Sequence, residues 1–154
     1  MEKKHILYLI LAIILCNGVG LLAGTYTTTE TAWFQSLEKP ALYPPGYLFG
    51  IVWTVLYTLM GIALYLVFRE TKNPLPFILF GVQLILNFFW TFIFFTVQNI
   101  SLALIEILLL LAVLLWTALL FRKYSKPAFY LLLPYIAWVA FATFLTFRIL
   151  ILNT

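Results

Sequence analysis

Charge is what this chain has least of: only 9% of its 154 residues are charged, against 65% that are hydrophobic, and its mean hydropathy is +1.09. A soluble domain of this size carries about a quarter charged residues, so the composition places the chain in a membrane. Nine Lys and Arg against five Asp and Glu leave a net charge of +4. Those basic residues are too few and too dispersed to make a nucleic-acid surface, and no nucleic-acid partner is expected. Cysteine is nearly absent. The single one, Cys16, lies inside an apolar run, which excludes an internal disulfide and a thiolate cluster and reads as a small buried hydrophobe. The single histidine, His5, sits beside Lys3 and Lys4, so a metal site built from protein ligands has almost nothing to draw on. Ser–His–Asp sets, Cys–His pairs, HExxH and phosphate-binding glycine loops are all missing, and with them any candidate for conventional hydrolytic or metal chemistry.

Long apolar runs are what the chain has instead. Five of them, at about 6–23, 45–68, 76–97, 101–121 and 128–152, each approach the roughly 20 residues a bilayer core requires. The expectation is an all-α integral membrane protein, a five-transmembrane-helix bundle forming one domain over residues 1–154. The first run can also be read as a signal peptide, but its length and Gly18, Gly20 and Gly24 favour a span retained in the bundle. With five spans, Lys3, Lys4, Arg69, Lys72, Arg122, Lys123 and Lys126 fall on one side and only Lys39 and Arg148 on the other. That asymmetry predicts an inside N-terminus and an outside C-terminus. An odd number of spans argues against a two-fold repeated transporter.

The connection at 24–44 is the long one. Thr27 and Glu30 fit a capping box, and TETAWFQSL after them predicts a short helix ending before Pro40. Trp33 and Phe34 favour a lid over a floppy connector, because disordered linkers seldom keep large aromatics.

The stretch from Lys39 to Val67 organises the remainder. Pro40, Pro44 and Pro45 hold off a regular helix until the second proline of the pair. Beyond it Trp53 and Tyr57 share a face with Gly46, Gly50 and Gly61 on or near it. Such a face suits close helix packing, or the wall of a flat pocket. Gln83, Asn87, Trp90 and Phe94 form a second stripe on the third span, and Tyr135, Trp138, Ala142 and Leu145 a third on the fifth. Counted at about 1.5 Å per residue, all three stripes reach the outer half of the bilayer under the long loop. The cavity they would enclose is aromatic, nearly uncharged and suited to a large flat hydrophobic ligand. Glu106 and Arg148, the ionisable residues well inside the spans, are expected to pair with each other or snorkel to the surface.

These residues resemble the TspO/MBR family. The matching features are Lys39-Pro40 with Pro44-Pro45, Val52-Trp53-Thr54 with Leu56-Tyr57, Leu86-Asn87 with Trp90, and Pro134-Tyr135 with Trp138, Phe141-Ala142-Thr143 and Leu145. The resemblance implies a five-helix bundle, commonly a homodimer, that binds porphyrins such as protoporphyrin IX and haem, and isoquinoline carboxamide or benzodiazepine-type drugs. By motif position it carries over Trp53, Asn87, Trp90, Trp138, Ala142 and Leu145 as pocket residues. Ala23, Tyr26, Trp33, Phe49, Gly50 and Leu109 follow as outer members, beside the stripe residues Tyr57 and Phe94. No cofactor is implied beyond porphyrin as ligand or substrate. Three further implications are a receptor or sensor role, light-dependent oxidative breakdown of porphyrin using Trp53 and Trp138, and tetrapyrrole or sterol transport. The pattern departs at Leu42, where the family usually has tryptophan, and the sterol-type motif is broken at Phe147 before Arg148. Cholesterol is therefore the least supported ligand, and a bacterial plasma membrane the expected home, with membrane lipid around the chain.

Overall fold

The computed structural model describes residues 3–154 as helices joined by short turns and one long loop. The spans are α1 (Lys3–Thr25), α3 (Gly46–Glu70), α4 (Leu75–Val97), α5 (Ile100–Tyr124) and α6 (Lys126–Leu152), with the short α2 (Ala32–Ser36) in the long loop. All five long helices have the length and apolar composition of membrane spans. The protein is an all-α integral membrane protein.

Local chemistry accounts for most of the helix ends. Pro45 is the N-cap of α3, with φ −58° and ψ 142°, so the helix starts at Gly46 once the proline pair has been passed. The last six residues of α4, Phe92–Val97, widen into a π-helix. It is closed by Gln98 in the left-handed region at φ 58°. Asn99 then caps α5 by accepting from the Leu102 N–H at 2.9 Å, so two residues reverse the chain. Ser125 alone joins α5 to α6. Its N–H donates to Phe121 O at 2.7 Å while its hydroxyl accepts from Ala128 N–H.

In the long loop the capping residue differs from the one expected. Thr31, not Thr27, accepts from Phe34 N–H at 3.2 Å, and Thr27 instead donates back to Ala23 O at the end of α1. The pairing of Thr27 with Glu30 is displaced because α1 runs on to Thr25, leaving Thr27 within reach of its last carbonyls.

The spans close into a ring in the order α1, α3, α6, α5, α4, each packing on the next and α4 returning, more weakly, to α1. One half of the bundle, away from the loop, is a solid core around Met60, Val67, Phe121, Leu132 and Tyr135. In it Phe80 and Phe121 stack at 5.7 Å with their planes 9° apart. The helix at the margin is α1: 11% of its apolar window is buried, against 33–39% for the other four.

Of the two alternatives expected for Glu106 and Arg148, pairing with each other or snorkelling to the surface, the ion pair does not form. Arg148 is exposed, whereas Glu106 is 8% exposed and neither carboxylate oxygen has a hydrogen-bond partner. The inward stripe of α6 runs through Ala142, Thr146 and Ile149, which leaves Arg148 off that stripe.

Candidate functional site

The half of the bundle nearer the loop holds a cavity of about 870 Å³, within the size range of small-molecule pockets. Its walls come from α1, α3, α4 and α6 and its roof from the loop, with no contribution from α5. Trp53, Phe49, Trp90 and Phe94 supply flat aromatic surface, and Ala142 and Leu145 a smooth aliphatic side.

A buried polar relay forms the floor. Tyr57 OH donates to Asn87 Oδ1 at 2.6 Å, Asn87 Nδ2 donates to Tyr135 OH at 2.8 Å, and Tyr135 OH donates to Gln83 Oε1 at 2.8 Å. Tyr57 and Asn87 face the cavity, while Tyr135 and Gln83 lie wholly inside the bundle. Four polar side chains on three helices are thus linked in one chain of hydrogen bonds where water is scarce. Three buried groups nearby remain without partners, the Gln83 Nε2 of the relay itself, the Trp138 indole N–H and the Trp90 indole N–H. The last belongs to a cavity-lining residue and is available to a ligand acceptor.

The roof is ordered. Phe34 packs on Phe95 and Tyr43, and Lys39 lies 4.4 Å over the Phe34 ring while its ammonium donates to Phe34 O and Leu37 O. Burial pushes the Tyr43 phenol up to about 12, so it faces the cavity as a neutral group. Asn153, at the end of α6, clasps the loop from the other side. It accepts from Glu38 N–H and donates to Glu38 O, both at 3.0 Å.

Ten of the residues singled out from sequence line this cavity: Ala23, Phe49, Gly50, Trp53, Tyr57, Asn87, Trp90, Phe94, Ala142 and Leu145. The other four stand elsewhere. Trp138 sits behind the wall, edge-on to Trp53 at 6.5 Å and to Phe49 at 5.8 Å. Trp33 backs Phe94 at 5.8 Å, and Tyr26 packs against Phe88 and Phe92, where it closes the gap between α1 and α4. Leu109 is corrected outright: it is 54% exposed on α5, because Ile107 and Leu110 occupy the inward face of that helix. Sequence reasoning missed Asn17, Thr54, Thr91 and Thr146, which also line the cavity. Threonine inside a span carries little sequence signal, since its hydroxyl so often bonds its own helix, as Thr54 and Thr146 do here.

Comparison with known proteins finds relatives over nearly the whole chain. The TspO/MBR family pattern matches residues 12–152. A tryptophan-rich protein TspO of Chlorobaculum tepidum is 41% identical, over 98% of this chain and 99% of its own. Another from Archaeoglobus fulgidus is 37% identical, over 97% and 99%. A translocator protein of Bos taurus is 36% identical over 84% of this chain and 80% of its own.

Proposed function

The chain belongs to the TspO/MBR family, and from that premise we propose that it is a membrane receptor or sensor for a planar tetrapyrrole such as protoporphyrin IX. The observation that carries the reading is the cavity itself. Its 870 Å³ are walled by Trp53, Phe49, Trp90 and Phe94 and floored by Tyr57 and Asn87. A flat apolar ring gains from aromatic faces, and a few fixed polar groups orient its edge. Isoquinoline carboxamide and benzodiazepine-type compounds, flat and weakly polar, suit the same walls. The setting proposed is a bacterial plasma membrane, with the loop outside.

The test is a titration of detergent-purified protein with protoporphyrin IX in darkness, followed by absorbance. Saturable binding at one site per chain is expected, and its absence refutes the receptor reading.

One contact favours a second reading, light-dependent oxidation of the bound porphyrin with dissolved dioxygen as the oxidant and tryptophan as the electron donor that quenches the excited ring. Trp53 lines the cavity and touches Trp138 behind it, so an electron-rich pair stands beside the ligand plane. Illumination of the loaded protein distinguishes the two. Loss of porphyrin over many turnovers supports catalysis, and loss of one porphyrin or fewer per chain leaves a receptor.

A further inference from the structure

Two helices that should touch along their whole length separate in the half of the bundle nearer the loop. Antiparallel α1 and α3 meet closely at Gly61, where a Cβ would come within 2.6 Å of the Ile13 Cα and 2.9 Å of Ala12 O. At the next level up, Asn17 Nδ2 donates to Thr58 Oγ1 at 3.2 Å as well as to Ile13 O at 3.1 Å. Gly20 then lies under the Tyr57 ring. The same register brings Leu21 level with Thr54, and Gly24 level with Gly50, yet there the contact ends. Leu21 is 76% exposed, Gly50 and Thr54 are exposed, and a Cβ added at Gly24, Gly46 or Gly50 would meet nothing within 4 Å.

All of these residues line the cavity, so the gap between the helices opens directly into it. Counted from Gly46 at about 1.5 Å per residue, the gap extends from the loop to roughly 12 Å down at Thr54. It therefore faces lipid tails as well as headgroups. On the opposite flank the equivalent gap between α1 and α4 is shut by Tyr26 against Phe88 and Phe92.

The chemistry of the gap matches its surroundings. Thr54 donates to Gly50 O and Thr58 to Thr54 O, both at 2.8 Å, so these hydroxyls turn back on their own helix. Bonded hydroxyls, glycines and Leu21 cost an apolar plate little to slide past, whereas free polar groups would hold water in the gap.

We infer that the α1–α3 gap is a lateral portal, through which the ligand passes edge-first between the cavity and the leaflet on the loop side. Asn17 is its sill. The inference rests on the tetrapyrrole reading and narrows it to an amphiphile that partitions into lipid, with an apolar plate and polar groups along one edge. Those polar groups travel at headgroup level past Thr25 and Thr27, at the rim of the cavity.

The test bars the portal reversibly. Leu21→Cys and Thr54→Cys together are bridged with a reducible dithiol-reactive linker in lipid nanodiscs, and protoporphyrin IX exchange from vesicles is timed. Cys16 is fully buried and stays out of the reaction. Bridging is expected to slow association and release alike, by tenfold or more against the same double variant before bridging, with both rates restored by reduction. Wild-type rates with the bridge in place overturn the portal. So does slowing by a bridge between cysteines at Thr29 and Gln35, which bars the loop instead.

Should the unmodified protein bind no porphyrin, the tetrapyrrole reading fails and the portal is judged separately. A bimane on Thr54→Cys is then quenched by lipid nitroxides placed along the acyl chain if the gap is open to lipid. Quenching by aqueous iodide alone overturns it.

Discussion

At the scale of single residues, the polar floor divides into a wet end and a dry end. Tyr57 and Asn87 are residues of the cavity lining, so a group stranded there can find water or ligand. Tyr135 and Gln83 are wholly enclosed. Tyr135→Phe removes the acceptor of Asn87 Nδ2 and the donor to Gln83 Oε1 together, and is expected to destabilise by about 2–3 kcal/mol. Tyr57→Phe is expected to cost less than about 1 kcal/mol, in line with the modest average for hydrogen bonds inside bilayers. Unfolding of the purified variants in mixed detergent checks the order, and equal losses would refute the distinction. The tryptophans divide similarly. Trp53→Phe takes away ligand-facing surface, whereas Trp138→Phe only loosens the ring behind it. We expect protoporphyrin IX affinity to fall by about tenfold in the first and about threefold or less in the second, since an aromatic contact is worth roughly 0.5–1.5 kcal/mol. The stripes on α3 and α4 were legible because tryptophan, tyrosine and asparagine stand out at helical spacing. Depth behind the wall was not. A residue one layer back, such as Trp138, has the same periodicity as one in front.

At the scale of elements, glycine and asparagine set how the helices and the loop are held. Gly61 lets the α1 and α3 backbones meet, so Gly61→Val forces α1 outward at its firmest contact. Overpacking of this kind costs about 1–3 kcal/mol or more, and because α1 is the marginal helix, the damage should concentrate there. Hydrogen exchange is expected to rise in α1 and stay unchanged in α5 and α6; uniform loosening would contradict this. The roof depends on a different residue. Asn153→Ala removes both bonds to the Glu38 backbone, leaving the loop held by Lys39 and its aromatic contacts. Faster exchange over residues 31–40 is expected, with the melting temperature lowered by only a few degrees. No sequence pattern pointed to Asn153, which lies 115 positions from its partner. The loop's aromatics did reveal that it packs, though not where.

At the scale of the whole molecule, the number of spans and the all-α class followed from apolar run length, because a bilayer sets that length directly. The ring order did not follow. Each helix is apolar nearly all round, so its inward face is marked only by a few small, polar or aromatic residues, and these do not name the neighbour. For α5 no inward stripe could be read at all, and Leu109, carried over by resemblance as an outer pocket member, faces outward. Orientation is a separate question, and here charge gives a direction: seven Lys and Arg lie at the ends away from the loop, and two at the loop side. The basic ends are expected inside. Single cysteines at Lys39, Lys72 and Lys123 should separate cleanly with a membrane-impermeant maleimide on intact cells, Lys39→Cys reacting and the other two reacting only after lysis. Cys16 adds no background, being buried. The reverse pattern would put the cavity and its α1–α3 gap on the inner leaflet. Since an apolar plate reaches the site from whichever leaflet the gap faces, the same labelling also decides from which side of the membrane the protein samples its ligand.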